Sequence, residues 1–327
     1  MLGSSMTRGA TVTGAENRTV RVAGRRRESD GVVSLELVAA DGGRLPDWTP
    51  GAHVDLVLPG GHTRQYSLCG DRWDAHRYRV AVLREAAGRG GSAWVHDRLA
   101  VGDEIGLGGP RNNFPLVPAP RYRFVAGGIG ITPMLPMIAT ADLLGADWAL
   151  LYGGRTRGSM AFTAELAAHG DRVRTVPQEE QGLLDLPGFL GAPAPDTRVY
   201  GCGPAPLLTA LARATAGWPS HAVRTERFVP RATGAVRDTA FEVHLARRGT
   251  DVTVPPGRSV LDAVADAGVD VLSSCRQGTC GTCETTVLAG VPDHRDSVLD
   301  DDDERAAADC MLVCVSRSVG PRLVLDL

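Results

Sequence analysis

Apolar and polar residues alternate in short runs over the first third of the chain. "VSLEL" (33–37), "HVDLVL" (53–58) and "YRVAVL" (78–83) carry the period of two that buries one face of a strand, with Gly and Pro between them. Several such strands at this spacing predict an antiparallel β-barrel. From residue 121 the rhythm changes. "RYRFVAG" (121–127) precedes an apolar helical run over 133–144, and "WALLYGG" (148–154) precedes "SMAFTAELAAHG" (159–170). "TRVYGCG" (197–203) then precedes "PAPLLTALARAT" (204–215). This strand–helix alternation predicts an α/β domain with a parallel sheet covered on both faces. The last part opens on alternating "FEVHL" (241–245) and includes the helix-like "SVLDAVADAG" (259–268).

The expected boundaries follow from composition. Residues 1–18 are small and polar and read as a disordered N-terminus. The barrel spans 19–118, with the proline-rich "FPLVPAP" (114–120) as a linker, and the α/β domain spans 119–229. A second linker covers 230–239 and the last domain 240–327. No internal repeat is visible.

Length and charge narrow the function. A chain of 327 residues can bury two or three cores, and a net charge of −3 gives no electrostatic case for nucleic acid. All 35 basic residues are arginine, so any phosphate contact must come from arginine, hydroxyls or backbone. No apolar run has membrane-spanning length and no signal-like apolar core opens the chain, so a soluble cytoplasmic protein without membrane contact is expected. In a reducing compartment, clustered cysteines are metal ligands or redox groups more often than disulfides.

Three of the seven cysteines fall in "SSCRQGTCGTC" (273–283). Cys275, Cys280 and Cys283 have the C-x4-C-x2-C spacing of a plant-type 2Fe–2S site, which needs one distant fourth thiolate. Gly278 and Gly281 would let the loop wrap the cluster with positive φ and aim N–H groups at its sulfurs. Downstream, Cys310 and Cys314 are the candidates for the fourth ligand. Cys314 follows the apolar "MLV" and is expected in a strand returning to the cluster, whereas Cys310 borders the acidic, helix-like stretch around 300–304. A four-cysteine zinc site is the competing reading, but zinc sites more often pair two C-x2-C knuckles and only one is present.

"AGGIGITPM" (126–134) follows a strand and opens a helix, where backbone N–H groups and a helix dipole can meet a pyrophosphate. After Gly128 and Gly130 the third fingerprint glycine is replaced by Pro133, which suits a first helical turn. No acidic residue follows at the ribose position; Arg155 and Arg157 stand there instead. "RQYSL" (64–68) ends a barrel strand with a guanidinium fork at Arg64, a ring at Tyr66 and a hydroxyl at Ser67. "GRGGS" (88–92) precedes another helix start.

The order of RQYS, GGIGITPM, "CGP" (202–204), CRQGTCGTC, "DHRD" (293–296) and "VCVSR" (313–317) resembles the phthalate dioxygenase reductase family, which includes the vanillate demethylase reductases, over about residues 20–327. The resemblance implies an FMN-binding β-barrel, an NAD-binding α/β domain and a C-terminal α+β β-grasp ferredoxin domain. It implies FMN contacts from Arg64, Gln65, Tyr66 and Ser67, with Val82 and Leu83 along the ring and Gly90, Gly91 and Ser92 on the phosphate. Gly128, Gly130, Arg155, Cys202 and Gly203 would line the dinucleotide site, Thr132 would lie near both ring systems, and Phe228 would cap the flavin. Ser67, Thr132 and Cys202 are the expected catalytic residues, and Cys275, Cys280, Cys283 and Cys314 the cluster ligands.

The implied activity is transfer of electrons from NADH, with NADPH left open, through FMN to a 2Fe–2S cluster. A flavin supplies the step from paired to single electrons. The acceptor would be a separate Rieske oxygenase or haem-thiolate monooxygenase, and the reductase a monomer. A ferredoxin-like carrier or redox sensor with a vestigial reductase part is the alternative, which the intact RQYSL and GGIGITP motifs disfavour.

Overall fold

A computed structural model describes residues 18–86, 88–230, 238–299 and 309–327. The expected disordered stretch lies outside these apart from Arg18, as do most of the second linker and the acidic run from Asp300 to Glu304.

Strands β1 (Arg18–Ser29), β2 (Val32–Ala39), β3 (His53–Leu58), β4 (His62–Ser67), β5 (Tyr78–Leu83) and β6 (Glu104–Arg111) form one sheet in the order β4-β3-β6-β1-β2-β5. Every neighbouring pair is antiparallel. A bridge between Leu68 and Val80 joins the ends of the sheet and closes a barrel, which removes the exposed edges an open sheet would carry. The alternation seen in the sequence points Val20, Val22, Leu35, Leu37, Val54, Leu56, Val80 and Val82 into one core.

The second sheet holds β7 (Arg121–Gly127), β8 (Asp147–Gly154), β9 (Val173–Pro177), β10 (Thr197–Cys202) and β11 (Val223–Glu226), all parallel, in the order β11-β10-β7-β8-β9. From β7 the chain winds first to one side and then to the other. The carboxyl ends of β7 and β10 therefore flank a topological switch point, where open α/β sheets bind ligands. Helices Met134–Leu143 and Ala205–Ala214 start just beyond those two ends. The helix expected over 159–170 is reduced to one α turn, Thr163–Leu166, and a 3-10 segment to Arg172. Phe162 enters it at φ 61° and Gly170 breaks it at φ 57°.

The third sheet uses β12 (Phe241–Leu245), β13 (Thr250–Val254), β14 (Glu284–Ala289), β16 (Cys310–Leu312) and β18 (Arg322–Leu325) in the order β13-β12-β18-β14-β16. β15 (Pro292–Asp293) and β17 (Arg317–Ser318) pair separately. Helix Val260–Asp266 is N-capped by Ser259, whose hydroxyl accepts from the Asp262 amide at 3.0 Å, and it buries Val260, Leu261 and Val264 in this domain's core.

The 114–120 linker is seated rather than loose. Phe114 meets the Tyr200 ring edge-on at 5.4 Å. The Tyr200 hydroxyl accepts from the Val117 amide and that of Tyr122 from the Ala119 amide, both at 2.7 Å. Val32, Cys69 and Ala81 of the barrel share one core with Phe124 and Tyr152 of the nucleotide domain. Cys69 is thus the small core residue expected, and burial pushes its thiol up to about 12.

Candidate functional site: a cysteine loop seated on the barrel

Gly278 (φ 69°) and Gly281 (φ 73°) take the left-handed conformation the loop was expected to need. A Cβ on Gly278 would lie 2.9 Å from Cα of Asp296. The DHRD segment braces the loop from behind. Buried Asp296 accepts from the Leu299 amide at 2.7 Å and the Ser316 hydroxyl at 3.1 Å, while the Ser297 amide donates to the Gly278 carbonyl at 2.8 Å.

Backbone amides do aim at sulfur: those of Gln277 and Thr279 lie 3.3 and 3.5 Å from Cys275 Sγ. Cys280 Sγ is 3.0 Å from the Thr282 hydroxyl. Cys275 interacts with Cys280 and with Cys314, and these contacts pull its thiol far down towards thiolate. Contact with Cys314 likewise lowers Cys283, and Cys280 and Cys314 are pushed up in return. The contacts 275/280, 275/314 and 283/314 bring the four expected ligands together, as a centre held by four thiolates requires. Cys314 lies in a turn just past β16 rather than in the strand expected, because the ladder to β14 ends at Leu312 and the turn carries the sulfur back to the loop. Cys310, expected at a helix edge, is buried in β16 and pairs with Thr286 across the ladder.

On β4 the Arg64 guanidinium donates to the carbonyls of Thr63 at 2.8 Å and Arg89 at 2.9 Å, which anchors it beside Gly90–Ser92. A Cβ on Gly91 would lie 2.8 Å from the Arg64 side chain, so the two motifs touch. Burial raises the Tyr66 hydroxyl to about 12, partly offset by the Arg64 charge. The Ser67 hydroxyl is buried and has no hydrogen-bond partner among the described residues. A buried hydroxyl left unpaired is costly, so this one fits a bound ring that offers it a hydrogen bond.

The two residues expected along the ring point apart. The Val82 side chain is fully buried in the barrel core and its carbonyl faces His96 Nε2 at 3.0 Å, because strand alternation points it inward. Leu83, next along, points instead towards the nucleotide domain. Gln65 also faces away from its neighbours: its amide donates to Asp55 Oδ1 at 2.5 Å and to Ser274 Oγ at 2.7 Å.

At the switch point a Cβ on Gly130 would lie 2.3 Å from the Cys202 carbonyl oxygen, and one on Gly203 would lie 3.0 Å from Gly127. Here glycine is required for backbone-to-backbone approach. Gly128 has φ 54° and faces open space. Thr132 is buried, with its hydroxyl donating to the Ile129 carbonyl at 2.9 Å. Phe228 is 41% exposed two residues beyond β11. Arg157 is held by Glu180 at 2.6 Å, whereas Arg155 forms no ion pair among the described residues.

Sequence reading missed two groups. Glu226 ends β11 beside Cys202, and burial raises its carboxyl to about 8. Its only signal was a lone acid at the end of a strand, in "TERF". The second group is the polar seat under the cysteine loop. Asp55 is buried and ion-paired to Arg111. His53 is buried against Asp55, Cys275 and the Cys280 backbone, and burial, helped by the Arg111 charge, holds its imidazole down at about 4. Asn113 Nδ2 donates to the Cys280 carbonyl at 3.0 Å, and Arg89 to Gln277 Oε1 at 2.9 Å.

A closed barrel with an anchored arginine, a switch-point sheet and a two-iron cysteine loop in one chain define a flavin and iron–sulfur oxidoreductase. Residues 243–319 match the 2Fe-2S iron-sulfur cluster binding domain family. The phenoxybenzoate dioxygenase subunit beta of Ectopseudomonas oleovorans is 45% identical over 301 residues, covering 91% of this chain and 94% of that protein. The structure of phthalate dioxygenase reductase, described as modular for electron transfer from pyridine nucleotides to [2Fe-2S], is 37% identical. It superposes with a TM-score of 0.70 over 95% of this chain and 98% of that one. An intact type IV self-sufficient cytochrome P450 monooxygenase superposes with a TM-score of 0.89 at 43% identity over 95% of this chain, which spans only 41% of that longer protein. The chain belongs to the phthalate dioxygenase reductase family.

Proposed function

We propose that the chain is the reductase component of a multicomponent oxygenase, carrying electrons from NADH through FMN to a 2Fe–2S cluster and on to a separate oxygenase. The observation that carries this is the seat of the cluster loop on the barrel. Ser274, next to one expected ligand, and Cys280, itself another, are both hydrogen-bonded to residues of the barrel half.

Bound FMN supplies the conversion of a two-electron donor into single electrons. The chain's own residues do the positioning. Arg64, with the amides of Gly90 to Ser92, would hold the phosphate, Tyr66 would cover the ring and Ser67 would give it a hydrogen bond. Leu83 would close the side facing the nucleotide domain. Gly128, Gly130 and Gly203 leave room for the dinucleotide, and Arg155, without an ion pair among the described residues, is the cation for its phosphates or ribose. Cys202, with the half-buried Glu226 beside it and Thr132 behind the turn, would border the nicotinamide, and Phe228 would cover the flavin. Gln65 Nε2 is engaged by Asp55 and Ser274, so a flavin contact from Gln65 would come from its backbone or Oε1.

Domain limits of 19–118, 119–229 and 240–327 belong to this reading, as do a monomeric state and a cytoplasmic location. No helix among the described residues is long and apolar enough to cross a membrane, and none of the seven cysteines is in a disulfide. A haem-thiolate acceptor is the second reading for the partner, favoured by the resemblance to the fused P450 enzyme.

The test is chemical. Purified protein should release FMN on extraction and hold about two irons per chain, and anaerobic NADH should bleach both chromophores. Release of FAD, or a cluster that NADH never reduces, would overturn the reading.

A further inference from the structure

We propose that Asp55, Gln65, Asn113 and Ser274 form a polar latch that fixes the separation of the cluster loop from the barrel, and that they act as positioning residues for internal electron transfer. The proposal rests on the functional reading above.

Three separate points of one short loop are held. Ser274 Oγ accepts from Gln65 Nε2 at 2.7 Å, Gln277 Oε1 accepts from Arg89 at 2.9 Å, and the Cys280 carbonyl accepts from Asn113 at 3.0 Å. Together these bracket Cys275 and Cys280, two of the four sulfurs. Contact is as close as the backbone permits: a Cβ on Gly281 would lie 3.0 Å from Asn113 Nδ2. The glycines of the cysteine loop therefore serve the seat as well as the wrap.

The latch is built from beneath. Asp55 is buried, receives the ion pair from Arg111, and accepts from the same Gln65 amide nitrogen that reaches Ser274. Asp55, Arg111 and Gln65 all belong to the barrel, so the carboxylate holds the Gln65 amide from beneath while Gln65 reaches across to the loop. Directional hydrogen bonds let only one seating satisfy every group, whereas apolar contact would tolerate sliding. Gln65 is on β4 between Arg64 and Tyr66, so the strand that presents one face to the flavin site presents the other to the cluster loop. Each NADH delivers two electrons and a cluster accepts one at a time, so the loop must offer the same separation twice per turnover. Electron transfer falls off steeply with distance.

The experiment uses the holoprotein. Asn113→Ala and Ser274→Ala remove one latch contact each, and Ser274→Thr keeps the hydroxyl. Each is mixed anaerobically with NADH while flavin and cluster absorbance are followed separately. In the alanine variants flavin reduction should keep its wild-type rate, and cluster reduction should slow by about tenfold or more, as expected for a small misplacement of reacting groups. Ser274→Thr should stay near wild type. Amide exchange at residues 277–281 should accelerate, with iron content and cluster midpoint potential unchanged. Unchanged rates and exchange would overturn the proposal. So would loss of iron, or a potential shift large enough to explain the slowing, since the residues would then act on the cluster itself. A wild-type protein whose cluster never reduces defeats the functional reading instead.

Discussion

Cys202 Sγ stands 4.0 Å from Oε2 of Glu226, set side by side by the parallel pairing of β10 and β11 at the switch point. Burial pushes both groups up, the thiol well above its ordinary range and the carboxyl to about 8, which favours the protonated form of each.

That pair gives a pH dependence. Burial raises the Glu226 carboxyl to about 8 in the folded protein, against an ordinary value of 4.5. Its stabilising contribution is therefore complete below the lower value and is lost as pH rises through the upper one. Thermal unfolding midpoints measured from pH 5 to 9 should fall more steeply in the wild type than in Glu226→Gln. Each tenfold gain in proton affinity on folding is worth about 1.4 kcal/mol, so the difference amounts to a few kcal/mol. Parallel curves would show that this carboxyl is solvated.

Cys314→Ser should cost the cluster, with iron falling from about two per chain towards zero and the visible bands lost. Cys310→Ser should retain iron, because that sulfur sits in the β16 ladder within the domain core. Colorimetric iron and electron paramagnetic resonance of the reduced proteins decide the matter, and the reverse outcome would exchange the two roles.

Arg64→Ala should weaken FMN retention by about 10- to 100-fold, the scale of one hydrogen-bonded charge at 1.5–3 kcal/mol, while the cluster persists. Thr63 and Arg89 hold the guanidinium in place, and the chain has no lysine to replace it. Equilibrium dialysis of FMN against iron content checks both halves of the statement.

NADH should be preferred over NADPH by more than about tenfold in kcat/KM, or 1.4 kcal/mol. The sequence alone left two arginines to receive a 2′-phosphate. Arg157 is engaged by Glu180, which leaves Arg155. Arg155→Ala should reduce kcat/KM with NADH, and Arg157→Ala should change it little; a gain in NADH preference on losing Arg157 would assign the phosphate site to it. Gly130→Ala should impair both dinucleotides, since its Cβ would meet the Cys202 carbonyl at 2.3 Å.

Much of this was readable from the chain. Strands β3, β5, β7 and β12 occupy the segments their apolar pattern marked, because alternation and burial are the same fact viewed along a strand. Gly278 and Gly281 declared a positive φ through their lack of a Cβ, and the spacing of Cys275, Cys280 and Cys283 declared a cluster, since both are local constraints. Alternation also limits what a motif can say. RQYS lies on one strand, yet Gln65 in it turns to the opposite face, and the Val82 side chain packs in the barrel core.

What the sequence by itself determined was the fold class, the kinds of domain and the local chemistry of the cysteine loop. The tertiary structure alone decided which loops meet. Gln65 finds Ser274 across 209 positions, Asn113 finds Cys280 across 167, and Glu226 comes to Cys202 only when two parallel strands align. Asn113 and Glu226 belong to no motif, and the motifs that hold Gln65, Ser274, Cys280 and Cys202 do not name these partners, because a single glutamine, asparagine or glutamate becomes informative only when burial removes water and leaves a particular partner to satisfy it.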